Sequence, residues 1–409
     1  MDIFKSVLLF QLVLYLISTA LAQNSSCSYK EFPGYGIDGS DIGGVPGRTT
    51  DCCALCQKNP YCVAYTWEPY DGGMCWLKND TGPMSKDSIS GTLSGFVSPG
   101  PKQTYSLIKK YAAPNFFDDW WFDTRDGKAF GFASNADNKT AWDKGLVGYQ
   151  NGKVYIGVDH TTTIPNNTWG RLSPRISSLQ LYNAGFFVLS LDHVPVGPYA
   201  NGSGWHSSPV WSMFMMTGDQ ASNGEFDFYK AHNPVDVANS MIYNNDEALY
   251  GKCSLPWDPK KYANISGWAD NELMQEGPHG TSDVPFNKAG GGVYAAQWVH
   301  GSFIKVWYFV KPNIPADILN ENPNPNPGTW GTPNGYYVFG DNCNPEVVNN
   351  NYLVLYIAFC NPPVTQECQD IMRNNPSNFQ DTYFLIDYLK VFCRPGENCW
   401  SGNYTLSGQ

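Results

Sequence analysis

Residues 222–233 read SNGEFDFYKAHN, and Glu225, Asp227 and Lys230 are the side chains there whose spacing could do chemistry. Side chains two apart in a strand share a face, so Glu225 and Asp227 point together while Phe226 and Phe228 turn toward a core. Carboxylates on one face suit a nucleophile and a proton donor working on the two sides of a bond. They equally suit the solvated outer face of a strand. The neighbourhood favours chemistry: Trp120, Trp121, Trp205 and Trp211 are more aromatic surface than a core needs, and ring faces along a cleft bind sugars. A third carboxylate would complete the ladder, but Lys230 stands there.

The elements that must hold this ladder are short strands. From residue 105 onward the chain offers KVYIGVD, FFVLSLDHV, PVWSMFMM, GEFDFY, FIKVWYFV, YLVLYIAF and TYFLIDYLKVF, separated by turn signals, with almost no helical periodicity. That pattern predicts a β-sandwich or jelly roll. NENPNPNPGTWGTP reads as a long Pro/Asn-rich loop.

Composition agrees. Of 409 residues, 42% are hydrophobic and 15% aromatic, with 40 Gly and 29 Pro, a balance of strand and turn formers. The net charge of −11 argues against a nucleic-acid partner and allows a neutral polymer. Lys5, the apolar run VLLFQLVLYLI and the small residues Ala20 to Ala22 form a secretory signal peptide over residues 1–22. No later segment is long and apolar enough to span a bilayer, so a secreted, extracellular or cell-wall protein is expected. The 12 cysteines then read as disulfides. Sequons at Asn24, Asn79, Asn138, Asn166, Asn201, Asn264 and Asn403 fit a glycoprotein.

The cysteines fall into two groups: Cys27, Cys52, Cys53, Cys56, Cys62 and Cys75, then Cys253, Cys343, Cys360, Cys368, Cys393 and Cys399. Two independently folding units follow, a small one over 23–98 and a large one over 105–395. SPGPKQT supplies the linker at 99–104, and 396–409 forms a C-terminal tail. In the small unit DCCALCQK is helical in pattern, and CVAYTW and MCWL are short strands. So short a unit buries little core and needs disulfides. DCCALCQKNPYCVAYTWEPYDGGMCWLK resembles a PAN/apple domain. The resemblance implies an α+β fold, a Cys56–Cys62 bond, a bond from Cys52 or Cys53 to Cys75, and a protein or carbohydrate ligand. The resemblance would leave Cys27 the remaining partner.

The large unit resembles glycoside hydrolase family 16, fungal laminarinase type. HTTTIPNNTWGRLSPRISS, SPVWSMF, NGEFDFYKAHN, GGGVYAAQWVHGSFIKVWYF, WGTP and the spacing of Cys343 to Cys360 carry the likeness, in family order. The resemblance implies an all-β fold, a concanavalin-like curved β-sandwich whose cleft holds β-1,3- or mixed-linkage glucan. Glu225 matches the nucleophile and Asp227 the supporting aspartate, while Lys230 falls at the acid/base position. There a strand bulge returns the final residue to the face of the first. Without the bulge the facing residue becomes Tyr229. Arg171 and Trp211 match residues lining the sugar cleft, joined by Trp120 and Trp121. Tyr243 stands where the family carries a histidine, and NPPVTQE replaces its tryptophan-bearing loop.

With the acid/base replaced, the expectation is a secreted β-glucan-binding protein with weak or lost hydrolysis. The alternative is an active retaining endo-β-1,3(4)-glucanase or transglycosylase, with Asp246 or Glu247 standing in as acid. A structural wall or coat component without sugar affinity is a third reading. No zinc motif, serine-hydrolase elbow or phosphate loop occurs, and no cofactor is expected. Some members of the family carry a structural calcium, which these residues do not assign.

Overall fold

The computed structural model describes residues 28–38, 41–59, 62–78, 84–97, 105–125, 131–198, 209–218, 224–233, 237–243, 247–251, 267–271, 274–331, 333–340, 343–360, 363–394 and 396–404. The signal-peptide region, the linker, Trp205 and Asp246 lie outside them, as do Cys27, Cys253, Asn24, Asn79, Asn201 and Asn264. The chain divides into two units, residues 1–103 and 104–409.

In the first unit a helix, Thr49–Lys58, packs on a five-stranded sheet. Its Cys52 bonds Cys75 in the strand Met74–Lys78, and Cys56 bonds Cys62. Cys53 is disulfide-bonded as well. Buried Cys52, Cys53, Cys56, Cys62, Tyr65, Cys75 and Leu77 form most of the small core, so sulfur does much of the work that a larger domain leaves to apolar side chains.

The second unit stacks two antiparallel sheets. Nine strands of the carboxylate-bearing sheet are labelled here: β1 (Trp120–Phe122), β2 (Arg175–Tyr182), β3 (Val210–Thr217), β4 (Glu225–Asn233), β5 (Val237–Tyr243), β6 (Gly267–Asn271), β7 (Met274–Ser282), β8 (Asn351–Phe359) and β9 (Trp400–Asn403). Their order is β6-β7-β5-β4-β3-β8-β2-β9, with β1 also on β2. The other sheet centres on Gly185–His193, Gly292–Val299, Phe303–Val310 and Tyr383–Cys393. Alternation drives the stacking: Phe226 and Phe228 of β4 meet Tyr337 and Phe187 of the facing sheet at ring-centroid distances of 5.2 and 5.1 Å.

Three features depart from or extend the sequence reading. Residues 400–403, expected in a tail, pair with Gln180–Tyr182 as β9, and the Cys393–Cys399 disulfide ties that strand to the sandwich. The Pro/Asn-rich loop is anchored, because Trp330 packs on Phe186 at 5.1 Å and donates its indole N–H to Asp317 at 2.8 Å. A helix at Gln366–Arg373, capped by Thr365 and held by Cys360–Cys368, was invisible to strand patterning. Asn138, Asn166 and Asn403 are all exposed.

Removing Cys52 and Cys75 together frees a loop spanning 23 positions, against 6 for Cys56 and Cys62. A Cys52→Ser/Cys75→Ser variant should therefore lose about 2–5 kcal/mol in the first unit, and the Cys56/Cys62 pair less. Limited proteolysis with mass spectrometry reads the difference as faster cutting within residues 41–78 only in the first variant.

Candidate active site

The site is built by register. In β4 one extra residue opposes β3: Phe214 pairs with Tyr229, yet the next residue, Met215, pairs with Asp227. Phe228 is the inserted position. Both Phe228 and Tyr229 consequently face the core, Tyr229 stacking on Tyr294 at 4.7 Å and meeting Ser212 Oγ at 3.0 Å. The bulge leaves the carbonyl of Phe228 out of the ladder, and Tyr308 donates its hydroxyl to it at 3.0 Å from the facing sheet. Lys230 is thereby returned to the face of Glu225 and Asp227. The unbulged register, with Tyr229 facing outward, is not adopted.

On that face the Lys230 ammonium donates to Asp227 Oδ2 at 3.1 Å, lies 3.9 Å from Glu225 Oε1 and sits 5.2 Å from the centre of the Trp211 ring. Asp227 is fully buried, and its Oδ1 has no hydrogen-bond partner among the described residues. Burial, opposed by Lys230 and reinforced by Glu225, pushes its carboxyl up to about 7. Glu225 is the open member of the group, with 24% of its side chain exposed. Tyr243 of β5 is the backbone pairing partner of Glu225.

Following the pairs across the sheet extends the site. Lys230 pairs with Met213, Met213 with Tyr356, and Tyr356 with Arg175, so these four make one row. Asp227, Met215, Val354, Ser177 and Trp121 make the next. The floor is polar at its far end. Asp123 is 1% exposed and ion-paired to Arg175 at 3.2 Å and Arg125 at 2.8 Å, while Tyr356 donates to Asn135 at 2.8 Å. Arg125 is held firmly protonated by its bonds to Asp123.

Two residues expected in the cleft belong elsewhere. Arg171 is wholly buried and gives its donors to the backbone carbonyls of Met372, Asp159 and Thr162. Its guanidinium also lies 4.3 Å from the Phe379 ring centre. It pins the loop that precedes it. Gly170 turns the chain into it at φ +74, where a Cβ would meet Ala133 backbone at 2.5 Å. The arginine on the carboxylate face is Arg175, four positions on. Trp120 is likewise core, stacked on Phe116 at 5.2 Å and edge-on to Tyr111. Strand alternation sends Trp121 to the opposite side, into the site. Sequence reading missed Asp123, Arg125, Arg175, Tyr352 and Tyr356; the spacing Arg171-x-Ser173-x-Arg175 was a signal, but it could not say which arginine turns outward.

Chemically, one accessible carboxylate stands beside a cation. Retaining glycoside hydrolysis needs a nucleophile and an acid/base roughly 5–5.5 Å apart. An ordinary lysine, titrating near 10.4, donates a proton poorly to a sugar leaving group and does not then activate water. The Lys230 ammonium, 3.9 Å from Glu225 Oε1, engages that carboxylate.

Two measurements test this geometry. Unfolded, Asp227 titrates near 3.9, so the folded chain holds a proton there that the unfolded chain releases. Its contribution to stability is fullest below about pH 4 and is lost as pH rises toward about 7. Lys230→Met removes the compensating cation and should cost about 3–5 kcal/mol at about pH 8. Much of that should return at about pH 5, where Asp227 is protonated. Urea unfolding at both values decides, and an equal loss at each would clear Asp227 of the role. Arg171→Met should destabilise by about 2–4 kcal/mol through its orphaned carbonyls, read as a lower urea midpoint at both pH values.

Comparison with known proteins places this geometry in a family. The family model described as "XgeA-like, catalytic GH16 domain" matches residues 120–392, and a PAN domain model matches residues 31–78. An endo-1,3(4)-beta-glucanase of Arthroderma benhamiae is 28% identical over 73% of this chain and 67% of its own length. A probable endo-1,3(4)-beta-glucanase of Aspergillus flavus is 28% identical over 75% of this chain, which spans 47% of that relative. Among solved structures, laminarinase 16A of Phanerochaete chrysosporium, with β-glucans in its donor and acceptor sites, superposes with a TM-score of 0.60 at 24% identity. The match covers 71% of this chain and 100% of that one. A family 16 elongating β-1,3-glucosyltransferase gives the same score and coverage at 25% identity. With the sandwich, the bulged strand and the Glu225–Asp227 pair in place, the chain belongs to glycoside hydrolase family 16, in its XgeA-like branch, and carries a PAN domain ahead of the catalytic fold.

Proposed function

We propose that this is a secreted protein that holds β-1,3-glucan along the Glu225 face and hydrolyses it weakly or not at all. The observation that carries the reading is Lys230, which stands on the nucleophile's own face, bonded to Asp227 and 3.9 Å from Glu225. The glucanase relatives and the glucan-bound neighbour support the ligand class. The signal-peptide pattern supports secretion, and among the described residues no helix is long and apolar enough to cross a membrane. The PAN unit supplies a second contact, to a protein or a carbohydrate.

A second reading, a working glucanase or transglycosylase with a displaced acid, rests on Glu225, which stays part-exposed beside Lys230. Glu247, the stand-in considered from sequence, lies in the short helix Glu247–Tyr250.

Incubating the purified protein with laminarin and counting new reducing ends separates the two. The binder should release none above background while being retarded on a laminarin affinity gel. Release that Glu225→Gln abolishes would establish the working enzyme with a displaced acid instead. Lys230→Glu should raise turnover of the binder, by up to the roughly 10²–10⁴-fold that a general acid contributes.

A further inference from the structure

The face that carries Glu225 ends in an aromatic cluster whose last ring, Tyr404, lies outside the family match. Trp121 stacks on Tyr404 with centroids 5.3 Å apart and planes 12° from parallel. Tyr352 meets both rings edge-on, at 6.0 Å from Trp121 and 5.3 Å from Tyr404. The Arg125 guanidinium lies 5.4 Å from the centre of the Trp121 ring and donates to Tyr352 Oη at 3.0 Å and Asp123 Oδ2 at 2.8 Å. It is fixed in one geometry, yet 52% of its side chain is exposed. Tyr404 and Trp121 are themselves part-exposed.

Tyr404 lies beyond residue 392, where the family match stops. The C-terminal segment brings it there: the Cys393–Cys399 bond turns the chain back, β9 pairs with β2, and the Tyr404 N–H donates to the Leu179 carbonyl at 2.7 Å. Closing the sheet edge needs only the backbone of β9. An aromatic stack beside a locked, half-exposed cation has the chemistry of a pyranose subsite. The rings meet the apolar C–H face of a sugar, and a guanidinium donates to its hydroxyls.

We infer that Trp121, Arg125 and Tyr404 form an additional subsite for a neutral pyranose unit, at the far end of the same glucan path. This rests on the glucan-binding reading of the Glu225 face. Trp121 shares a row with Asp227, four strands away, a distance of roughly 19 Å. A disaccharide seated near Glu225 does not reach it; a longer chain does. The segment after the family fold therefore sets a preference for polymer length.

The test is calorimetric titration of the full chain with laminaribiose and with laminarihexaose. Tyr404→Ala and Arg125→Ala should each weaken hexaose binding about tenfold, the scale of one lost ring contact or charged hydrogen bond, and Tyr404→Ala should leave biose affinity as in the wild type. Tyr404→Phe keeps the stack and should keep hexaose affinity. Thermal unfolding of each variant guards against misfolding. Wild-type hexaose affinity in both alanine variants, or equal losses for both sugars in Tyr404→Ala, would overturn the subsite while leaving the glucan-binding reading in place. A wild-type protein that binds neither sugar would remove that reading and the subsite together.

Discussion

One extra residue in one strand sets the chemistry of this protein. The bulge at Phe228 sends two consecutive aromatic side chains into the core and turns Lys230 onto the face of Glu225. Its stray carbonyl is satisfied from the opposite sheet by Tyr308, so the bulge is held by the packing of the sandwich as well as by its own strand. Everything distinctive about the site follows: an ammonium lies between a buried aspartate and a half-open glutamate, over the ring of Trp211.

The same constraint explains how the scaffold accommodates a cation on this face. A buried Asp227 is expensive as an anion and needs a cation or a proton. Lys230 provides the cation locally, and the raised carboxyl of Asp227 is the residual cost of its burial. The remainder of the floor is compensated separately, with Asp123 holding Arg175 and Arg125. Charge balance in this face is thus local, group by group, and the cation at Lys230 leaves the distant groups paired.

Much of this was legible in the chain. Alternation gave the strands and the shared face of Glu225 and Asp227, and two sets of six cysteines announced two units. Motif order over residues 160–360 pointed to the family, which the match over 120–392 bears out. The misreadings have a common origin. Arg171 and Arg175, like Trp120 and Trp121, sit in neighbourhoods of similar composition, and which member faces the site depends on strand pairing that sequence does not print. Residues 396–404 looked like a tail because a single short strand has no periodicity of its own; β2 supplies the partner that makes it one.

The sequence by itself determined the fold class, the division into units, the shared strand of Glu225 and Asp227 and the presence of a lysine three residues beyond Asp227. These rest on local alternation and on residue identity, which a linear reading contains. Only the tertiary structure decided that Lys230 rather than Tyr229 shares the face of Glu225, that Arg175 rather than Arg171 lies on its floor, and that Tyr404 joins Trp121. Each of those outcomes turns on a register set by hydrogen bonds to a distant strand, and a one-residue shift in register moves a side chain to the other side of a sheet.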